Sequence, residues 1–397
     1  MSYIICLLPG DGIGQEVIPA ARAALIATGL RCRFVEADIG WACFQRRGTA
    51  LPNETLTAVR QADVTLLGAV GSPSHRVTGY RSPVVGLRQA LDLYACVRPV
   101  RTPPLEGQRP GIDMVVIREN SEGLYAGGEE VTGAPDDRRA VAHRIITSHG
   151  SRRIAQFALD YAQHHRRQRV TLVHKANVLR ESCGLFRETV LAVFAGQVGT
   201  NPVVVDELLV DTAAYHMVRS PERFDVIVTT NLFGDILSDA ASAWGGGLGL
   251  AASANIGAER AVFEPVHGSA PDIAGRGIAN PLAAISAAAL LLDYLGETSR
   301  GDRLRTAVDA ALRAGIHTPD LGGAATTAEV LAFVITHLTE ENSAMTCPEC
   351  EATLTLPADL IEGEIVPCPD CGAELEVTST SPVQLQLAPM VEEDWGE

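Results

Sequence analysis

The chain lacks long apolar runs and a secretory signal. No apolar stretch in its 397 residues approaches the roughly 20 residues that a bilayer-spanning helix requires. The amino terminus lacks the charged segment, the apolar segment and the cleavage site that direct a chain to secretion. We therefore expect a soluble, cytoplasmic protein that is long enough to form two or more domains.

Positive charge is missing altogether from residues 345–397, which contain twelve Asp and Glu and no Lys, Arg or His. This segment carries −12 of the net charge of −16, so we interpret it as a separate module. The short polar stretch before it, LTEENSA, indicates a linker at residues 339–344. A module without a basic residue cannot neutralise phosphates, and we do not expect it to bind nucleic acid.

Cysteine is scarce outside the acidic module. Five cysteines are scattered, and we expect them to be small buried side chains in a reducing compartment: Cys6, Cys32, Cys43, Cys96 and Cys183. The other four form two C-x-x-C pairs that 17 residues separate: Cys347, Cys350, Cys368 and Cys371. Two such pairs can close one tetrahedral Cys₄ site with no open position. The spacing predicts a structural Zn²⁺ in a small zinc-ribbon domain.

Upstream of the module, apolar runs rich in β-branched residues alternate with stretches that have helical periodicity. The predicted strands are 4–8, 64–67, 114–117, 169–173, 203–205 and 226–229. The predicted helices include 18–28, 151–163 and 282–295. Strands interleaved with helices at this spacing are typical of an α/β sheet protein.

Two carboxylates follow the last of these strands, Asp235 and Asp239 in TTNLFGDILSD. A spacing of four residues places both on one face of a helix. Neighbouring carboxylates repel each other unless a cation lies between them, and Mg²⁺ and Mn²⁺ prefer oxygen ligands. The pair therefore predicts half of a metal site. The alternative is one acid that caps the helix and one that is merely exposed.

A glycine-rich turn, PGDGIG at residues 9–14, follows the first strand, and Glu36 lies further along the chain. The pattern resembles a dinucleotide-binding fingerprint, but its third glycine comes one residue early. We expect a tight strand-to-helix turn that lines a cleft, rather than an ordinary pyrophosphate site.

A second glycine-rich segment, EPVHGSAPDIAGRGIANP at residues 264–281, surrounds His267, Asp272 and Asn280. Small residues allow its backbone to approach a ligand closely. An acidic side chain accepts hydrogen bonds from ribose hydroxyls and repels a 2′-phosphate, so Asp272 favours NAD over NADP. The alternative is a surface loop that binds no ligand.

Three arginines, Arg88, Arg98 and Arg118, precede the carboxylate pair. Guanidinium groups hold carboxylates bidentately, so together they suit a small polyanionic acid. The alternative for each is an ordinary surface ion pair. Lys175 follows a predicted strand and is a candidate proton carrier. Tyr125 is a candidate proton donor, with half-buried packing as the alternative.

Over about residues 1–338 the chain resembles the β-decarboxylating 3-hydroxyacid dehydrogenases, the family of isocitrate, 3-isopropylmalate and homoisocitrate dehydrogenases. The motifs that carry the resemblance, in chain order, are GDGIGQEV, LDLYACVRP, RENSEGLYAG, HKANVL, VDTAAYHMV, TTNLFGDILSD, EPVHGSAPDIAGRGIANP and TPDLGG. Within the family the chain is most similar to the bacterial homoisocitrate dehydrogenases of lysine biosynthesis. The resemblance implies NAD-dependent conversion of homoisocitrate to 2-oxoadipate.

The resemblance also implies two α/β domains with the active site in the cleft between them. Residues 1–102 and 252–338 would form the nucleotide-binding domain, and residues 103–251 the substrate and dimerisation domain. The family forms obligate dimers, in which Lys175 and Asp211 would cross into the neighbour's site.

Roles for single residues follow from the same resemblance. Mg²⁺ or Mn²⁺ would lie between Asp235, Asp239 and the neighbour's Asp211. Lys175 would relay the hydroxyl proton and Tyr125 would protonate the enolate that decarboxylation leaves. The three arginines would clamp the malate-like carboxylates. The nucleotide site would be lined by Ile13 against the adenine and by Glu264, His267, Gly268, Asp272, Asn280 and Asp320.

One position departs from the family pattern. Homoisocitrate dehydrogenases that otherwise resemble this chain carry an arginine where Val85 stands, and that arginine faces the distal carboxylate of the substrate. An apolar Val85 suits the branched alkyl group of 3-isopropylmalate, because burying an unpaired carboxylate against it is unfavourable. His75, Arg76 or Arg81 could supply the missing cation. The substrate therefore stays open between homoisocitrate and 3-isopropylmalate or a related acid.

Residues 345–397 resemble, over their whole length, the small amino-group carrier proteins of bacterial lysine and arginine biosynthesis, including CGAELEV and the terminal EEDWGE. The resemblance implies that the side-chain carboxylate of Glu397 is joined to the α-amino group of α-aminoadipate or glutamate. It also implies that the acidic module docks on basic patches of pathway enzymes. The alternatives are a disordered acidic tail, and a carrier fused to an inactive dehydrogenase scaffold.

Overall fold

The structure, a computed structural model, describes residues 2–75, 77–197, 202–357, 360–380 and 383–388, with the main chain alone at 340–345 and 355. Within these ranges the chain forms one ten-stranded mixed sheet, flanked by helices, and three small antiparallel sheets. No helix in these ranges has the length and apolar character needed to cross a membrane.

The strands, in chain order, are β1 (Tyr3–Gly10), β2 (Cys32–Glu36), β3 (Val64–Ala69), β4 (Ala95–Arg101), β5 (Asp113–Glu119), β6 (Glu129–Ala134), β7 (Asp137–Ala142), β8 (Arg169–His174), β9 (Val204–Leu209), β10 (Val226–Thr229), β11 (Ala252–Ile256), β12 (Ala261–Pro265), β13 (Ala344–Thr346), β14 (Thr353–Thr355), β15 (Ile365–Pro367), β16 (Glu374–Thr380) and β17 (Val383–Leu387).

The helices are α1 (Gly14–Ala27), α2 (Trp41–Arg47), α3 (Asn53–Gln61), α4 (Pro83–Ala90), α5 (Ser148–His164), α6 (Ser182–Ala195), α7 (Val210–Arg219), α8 (Asn231–Ser242), α9 (Leu282–Tyr294), α10 (Thr298–Arg313) and α11 (Thr327–Ser343). Short 3₁₀ turns occur at 221–223, 243–245 and 319–321.

The large sheet has the strand order β2-β1-β3-β12-β11-β4-β5-β10-β8-β9. β11 runs antiparallel to both β12 and β4, and β4 runs antiparallel to β5, whereas the outer strand pairs are parallel. The predicted α/β architecture is therefore confirmed. The sequence patterns missed β2, β4, β11 and β12, because these strands contain arginine, proline or asparagine instead of continuous β-branched runs.

The core lies on both faces of this sheet. All six residues of β3 and all four of β10 are buried, as expected for central strands that helices cover on both sides. Helix α9 is apolar around most of its circumference, and it packs against α1, α10, β11 and β12. A helix of this composition is stable only when it is enclosed by other elements.

The glycine-rich turn joins β1 to α1 through only three residues. Gly10 and Gly12 have φ values of 76° and 55°, in the left-handed region that favours glycine. A Cβ at Gly12 would lie 2.0 Å from the carbonyl oxygen of Ser269. The turn therefore packs directly on the second glycine-rich segment. The Asp11 carboxylate accepts hydrogen bonds from the backbone N–H groups of Trp41, Ala42 and Gly71.

A hairpin and two helices present apolar side chains to the surface of the single chain. Strands β6 and β7 pair with each other and are exposed at nearly every residue. A two-stranded ribbon that buries so little is marginally stable by itself. On α7 and α8, Val218 is 70% exposed and Ile236 is 59% exposed. These surfaces have the character of an interface with another chain.

The carboxyl-terminal module is β-rich, as predicted. Helix α11 runs through the predicted linker residues 339–343, and β13 begins at Ala344. β13 pairs with β14, and β15, β16 and β17 form a separate three-stranded sheet. A small core of its own holds the module together, with Leu354, Leu356 and Leu375 packed around Cys347 and Cys368.

Candidate active site

Arginines from adjacent strands face a pair of acids on one helix. In the antiparallel pairing of β4 with β5, Arg118 lies opposite Cys96, two residues from Arg98. Alternate residues of a strand share a face, so both guanidinium groups point to the same side of the sheet. Helix α8 packs on these strands and brings Asp235 and Asp239 to the arginines.

Arg98 and Arg118 hold the two acids in place. Arg98 Nη1 donates to Asp239 Oδ1 at 2.6 Å and to Ser238 Oγ at 2.7 Å, and its Nη2 lies 3.7 Å from Asp235 Oδ1. Arg118 Nη1 donates to Asp235 Oδ1. Both acids lie within α8, whose amino-terminal cap is Thr230. The alternative of a helix-capping acid is therefore wrong, and so is that of surface ion pairs, because both arginines are buried.

Arg118 is also packed against α8 and Tyr125. Its Nε and Nη2 donate to Asn231 Oδ1 at 3.0 and 2.6 Å. A Cβ at Gly234 would lie 2.7 Å from the arginine side chain, so only glycine permits this approach. The Tyr125 hydroxyl donates to Asp235 Oδ2 at 2.6 Å, and the guanidinium lies over the phenol ring. Burial and the Asp235 carboxylate raise the pKa of Tyr125, so its hydroxyl stays protonated.

Lys175 follows β8 and pairs with the first turn of α7. Its Nζ donates to Asp211 Oδ1 at 2.6 Å, and this hydrogen bond holds the pKa of Asp211 below its usual value. Lys175 is the single lysine among the 32 Lys and Arg residues of the chain. All the other members of this set are arginines, so a lysine at this one position indicates a function that arginine cannot supply. The motifs alone did not reveal this signal.

Asp211 does not join Asp235 and Asp239 within one chain. Among the described residues, the cysteines at 347, 350, 368 and 371 form the one group of three or more His, Cys, Asp or Glu side chains with ligand atoms within 4.8 Å of one another. Asp235 and Asp239 supply carboxylate oxygens suited to Mg²⁺ or Mn²⁺. One chain thus presents two of the three predicted oxygen ligands together.

Except for Ile13, the predicted nucleotide-binding residues lie along β12 and the segments that follow it. Asn280 Nδ2 donates to Asp320 Oδ2 at 3.0 Å, which fixes the side chain of Asp320. The imidazole of His267 donates from Nδ1 to the carbonyl oxygen of Gly268 at 3.0 Å, and burial lowers the pKa of His267. Its Nε2 is a buried acceptor with no partner in the protein. Such an atom fits a donor group of a nucleotide base.

Other predicted residues of this region differ in exposure. Asp272 is exposed in the turn after His267, where its carboxylate is accessible to a ligand. Ile13 is 5% exposed and belongs to the hydrophobic core, and its N–H donates to the carbonyl oxygen of Ser269. Glu264 is buried, accepting from Asn255 Nδ2 at 2.8 Å and lying 3.4 Å from Arg88 Nη2.

A small pocket lies where the variable part of the substrate is expected. It is lined by Val85, Arg88, Gln89, Asn120, Ser121, Tyr125 and Asn231. Of the cations proposed to replace the missing arginine, His75 and Arg81 are exposed and do not line it, and Arg76 lies outside the described residues. Arg88 is the one cation of the pocket wall in the part of the chain that the structure describes.

The four cysteines of the carboxyl-terminal module converge as predicted. The Sγ atoms of Cys347 and Cys371 are 3.6 Å apart, and those of Cys350 and Cys368 are 3.7 Å apart. Each C-x-x-C pair forms the same turn, in which the first cysteine N–H donates to the carbonyl five residues on. Four thiol groups at this spacing suit tetrahedral Zn²⁺.

The scattered cysteines are buried at four positions, whereas Cys32 is only partly buried and departs from the prediction. Burial raises the pKa of Cys6 to about 12, so this thiol is unreactive. Glu397, the predicted attachment residue, lies outside the described residues.

Arginines paired with two acids of one helix, a lysine and a glycine-rich segment form the arrangement that the sequence predicted for a dehydrogenase of a small hydroxy acid. A model of the isocitrate/isopropylmalate dehydrogenase family matches residues 4–334, and a model of the globular domain of LysW-like α-aminoadipate carrier proteins matches residues 345–390. The chain belongs to the isocitrate/isopropylmalate dehydrogenase family and carries a LysW-like domain at its carboxyl end. It is a β-decarboxylating dehydrogenase, and its family uses NAD and a divalent metal.

Relatives with different substrates match almost equally well. An isocitrate/homoisocitrate dehydrogenase of Thermus thermophilus is 52% identical over 331 residues, which cover 82% of this chain and 96% of the relative. A 3-isopropylmalate dehydrogenase of Methanothermobacter thermautotrophicus is 47% identical, with 85% and 99% covered. The crystal structure of isocitrate dehydrogenase from Methylococcus capsulatus has a TM-score of 0.80 at 42% identity, covering 85% of this chain and 99% of that one.

Proposed function

We propose that the protein oxidises and decarboxylates homoisocitrate to 2-oxoadipate with NAD and Mg²⁺ or Mn²⁺, in lysine biosynthesis in the cytoplasm. The observation that carries this proposal is the LysW-like domain at residues 345–390, on the same chain as the dehydrogenase. The family model describes α-aminoadipate carriers, and transamination of 2-oxoadipate yields α-aminoadipate. A dehydrogenase that produces 2-oxoadipate therefore supplies the precursor of the amino acid that such a carrier binds.

Different residues of the site bind the substrate and the divalent ion. Arg88, Arg98 and Arg118 hold the substrate carboxylates in this proposal. The guanidinium groups of Arg98 and Arg118 point to one side of the sheet, and Arg88 lines the neighbouring pocket. Asp235 and Asp239 hold the divalent ion together with Asp211 of a second copy of the chain. When bound, the ion stabilises negative charge on the substrate oxygen, and NAD accepts the hydride.

The reaction begins with one proton transfer and ends with another. Lys175, hydrogen-bonded to Asp211, takes up the proton of the substrate hydroxyl as the hydride leaves the carbon that bears this hydroxyl. The keto acid then loses CO₂ by cleavage of its carbon–carbon bond, and the electron pair remains on the substrate as an enolate. Tyr125 donates its proton to the enolate carbon, and its hydroxyl lies at the site, 2.6 Å from Asp235 Oδ2.

The nucleotide-binding and substrate domains that we propose are residues 1–102 with 252–338, and residues 103–251. His267, Gly268, Asp272, Asn280, Glu264, Asp320 and Ile13 bind the nucleotide in this proposal. Asp272 is accessible for hydrogen bonds with ribose hydroxyls and would repel a 2′-phosphate, which supports NAD.

We also propose a homodimer built on α7, α8 and the β6–β7 hairpin. These elements expose apolar side chains such as Val218 and Ile236. Asp211 lies on α7, and its separation from Asp235 in one chain is consistent with exchange of this ligand between copies. The LysW-like domain, with its Zn²⁺ site and Glu397, is proposed to present an amino acid to lysine-biosynthesis enzymes.

Oxidation of 3-isopropylmalate is the second candidate, and Val85 favours it. Its apolar side chain on the pocket wall suits an alkyl group better than a carboxylate. Isocitrate and an inactive dehydrogenase scaffold are further alternatives, although all the proposed catalytic side chains are present.

The test is NADH formation by the purified full-length protein with Mg²⁺ and K⁺. kcat/KM is compared for homoisocitrate, 3-isopropylmalate and isocitrate under the same conditions. We expect homoisocitrate to be preferred, and Lys175→Met to abolish turnover while leaving the melting temperature unchanged. A preference for 3-isopropylmalate would contradict the proposal. No turnover of any of the three acids, by protein that still binds NAD, would support the scaffold alternative.

A further inference from the structure

Two buried polar atoms of the Val85 pocket have no partner in the protein. Arg88 Nε is a donor and Asn120 Oδ1 is an acceptor, and both residues line the pocket. Asn120 is 4% exposed. Buried polar atoms are nearly always hydrogen-bonded, so an unpaired donor and acceptor in one pocket indicate a bound group that satisfies both.

The other polar side chains of the pocket wall are already engaged or exposed. Asn231 Oδ1 accepts from Arg118, the Tyr125 hydroxyl donates to Asp235, and Ser121 Oγ donates to Glu119 Oε1 at 2.5 Å. Gln89 is exposed.

A chain of hydrogen bonds fixes the orientation of the Asn120 amide. Glu264 is acceptor-only as a carboxylate, so Asn255 must turn Nδ2 toward it, as observed at 2.8 Å. Asn255 Oδ1 then faces Asn120 Nδ2 at 3.0 Å, and Leu93 O accepts from the same nitrogen at 3.3 Å. Both amide hydrogens of Asn120 are therefore used, and Oδ1 is the atom left to face the pocket.

We propose that Asn120 Oδ1 and Arg88 Nε hold one water molecule at the inner end of this pocket, and that this water binds the distal carboxylate of the substrate. Water accepts a hydrogen bond from Arg88 Nε, donates one to Asn120 Oδ1, and keeps a second hydrogen for the substrate. The pocket has a volume of about 20 Å³, and on this measure about 10–15 Å³ holds one water with two to four polar partners.

This inference rests on the proposed function and explains how Val85 is compatible with it. Asn120 Oδ1 alone would repel a carboxylate, because both are acceptors. The water converts this acceptor into a donor that faces the substrate. The distal carboxylate of a tricarboxylate then accepts a hydrogen bond from the water, which the alkyl group of an alkylmalate cannot do. The pocket therefore distinguishes the two substrates through a water molecule instead of a guanidinium group.

The test compares Asn120→Leu, a near-isosteric apolar replacement, with Asn53→Leu, the same substitution at an exposed position of α3 outside the pocket wall. kcat/KM is measured for homoisocitrate, 3-isopropylmalate and malate, which has no distal group. We expect Asn120→Leu to lower the homoisocitrate-to-malate ratio of kcat/KM about 10- to 100-fold, the range for a lost hydrogen bond to a charged group. The ratio should stay within about threefold in Asn53→Leu, since this amide is exposed and does not line the pocket.

Two further measurements separate water binding from a structural role. Val85→Arg in the Asn120→Leu background should restore homoisocitrate turnover, because the guanidinium replaces the water as donor. Stabilisation of the Mg²⁺-loaded protein by homoisocitrate against heat, without NAD, should fall in Asn120→Leu and not in Asn53→Leu. If Asn120→Leu does not fold, Asn120→Ala is expected to give the same changes.

The outcomes distinguish this inference from the proposed function. Wild-type protein that prefers homoisocitrate, with an unchanged substrate ratio in Asn120→Leu, would overturn the water site alone. An equal loss on all three acids would make Asn120 a positioning residue that acts through Asn255 and Glu264, and would also overturn it. Wild-type protein that turns over or binds only 3-isopropylmalate would overturn both.

Discussion

We expect Arg118→Leu to lower the free energy of unfolding strongly, because it removes a buried guanidinium group and its hydrogen bonds. Arg118 is 1% exposed, and its guanidinium donates to Asp235 and twice to Asn231 Oδ1. Leucine removes all three hydrogen bonds and leaves a buried acceptor behind. The expected change follows from what happens to each partner.

The two partners contribute unequally to the expected loss. Asn231 is 1% exposed, so water cannot replace its lost donors, and an unsatisfied buried group costs about 1–3 kcal/mol. The side chain of Asp235 is 31% exposed, so water hydrates part of it. With the broken buried ion pair included, we expect the free energy of unfolding to fall by about 3–5 kcal/mol.

The assay is equilibrium urea unfolding followed by circular dichroism, without substrate. Arg187→Leu is the matched control, because Arg187 makes a half-exposed bidentate pair with Glu207. Its loss should change stability by about 1 kcal/mol or less. In Arg118→Leu/Asn231→Leu, where both partners are apolar, much of the lost stability should return.

A fall of less than about 1 kcal/mol in Arg118→Leu would refute this reasoning, since it would equal the loss expected for a surface pair. A double variant that is as unstable as the sum of the two single changes would refute it too. That result would mean that the arginine and the amide are not energetically coupled.

Three other predictions concern proton transfer, pH and zinc. Tyr125→Phe should lower kcat about 10²- to 10⁴-fold with little change in KM, measured by NADH formation; an unchanged kcat would remove Tyr125 from the proton transfer. Burial raises the pKa of Asp293 from 3.8 to about 6, so the folded state binds a proton that the unfolded state releases. Wild-type stability should therefore fall relative to Asp293→Asn as pH rises from about 4 to 6, and urea midpoints showing the opposite trend would contradict this. Cys350→Ser, or a zinc chelator, should remove the calorimetric transition of the carboxyl-terminal module and leave that of the dehydrogenase; loss of both transitions would argue against separate modules.

The elements that the sequence predicted well are those whose physical signal is local. β3 and β10 are continuous apolar runs because helices cover both faces of the sheet, and the pattern is therefore visible without any partner. Asp235 and Asp239 were placed together by helical spacing alone. The two C-x-x-C pairs predicted their own convergence in the same way.

The features that the sequence did not reveal depend on distant partners. Asn255 lies in the short strand ASANI, where it gives no functional signal, yet it orients both Glu264 and Asn120. Asp11 was treated only as part of a glycine-rich turn, whereas its carboxylate binds the backbone at the start of α2. Neither contact can be derived from spacing, because the residues are at least 9 positions apart and meet only through the sheet or a loop.

A positively charged side chain can pair with a carboxylate and can also carry a proton, and among the Lys and Arg residues of this chain only the single lysine can do both. An arginine at position 175 could also donate to Asp211, but a guanidinium cannot release a proton under physiological conditions. Every other member of the Lys and Arg set of this chain is an arginine, so its one side-chain ammonium group lies beside Asp211 on α7. Apart from the amino terminus, reagents that target amines therefore have one site on this protein. Reductive methylation with ¹³C-formaldehyde would place one spectroscopic probe on the proton carrier itself, and its titration can be followed without interference from any other side chain.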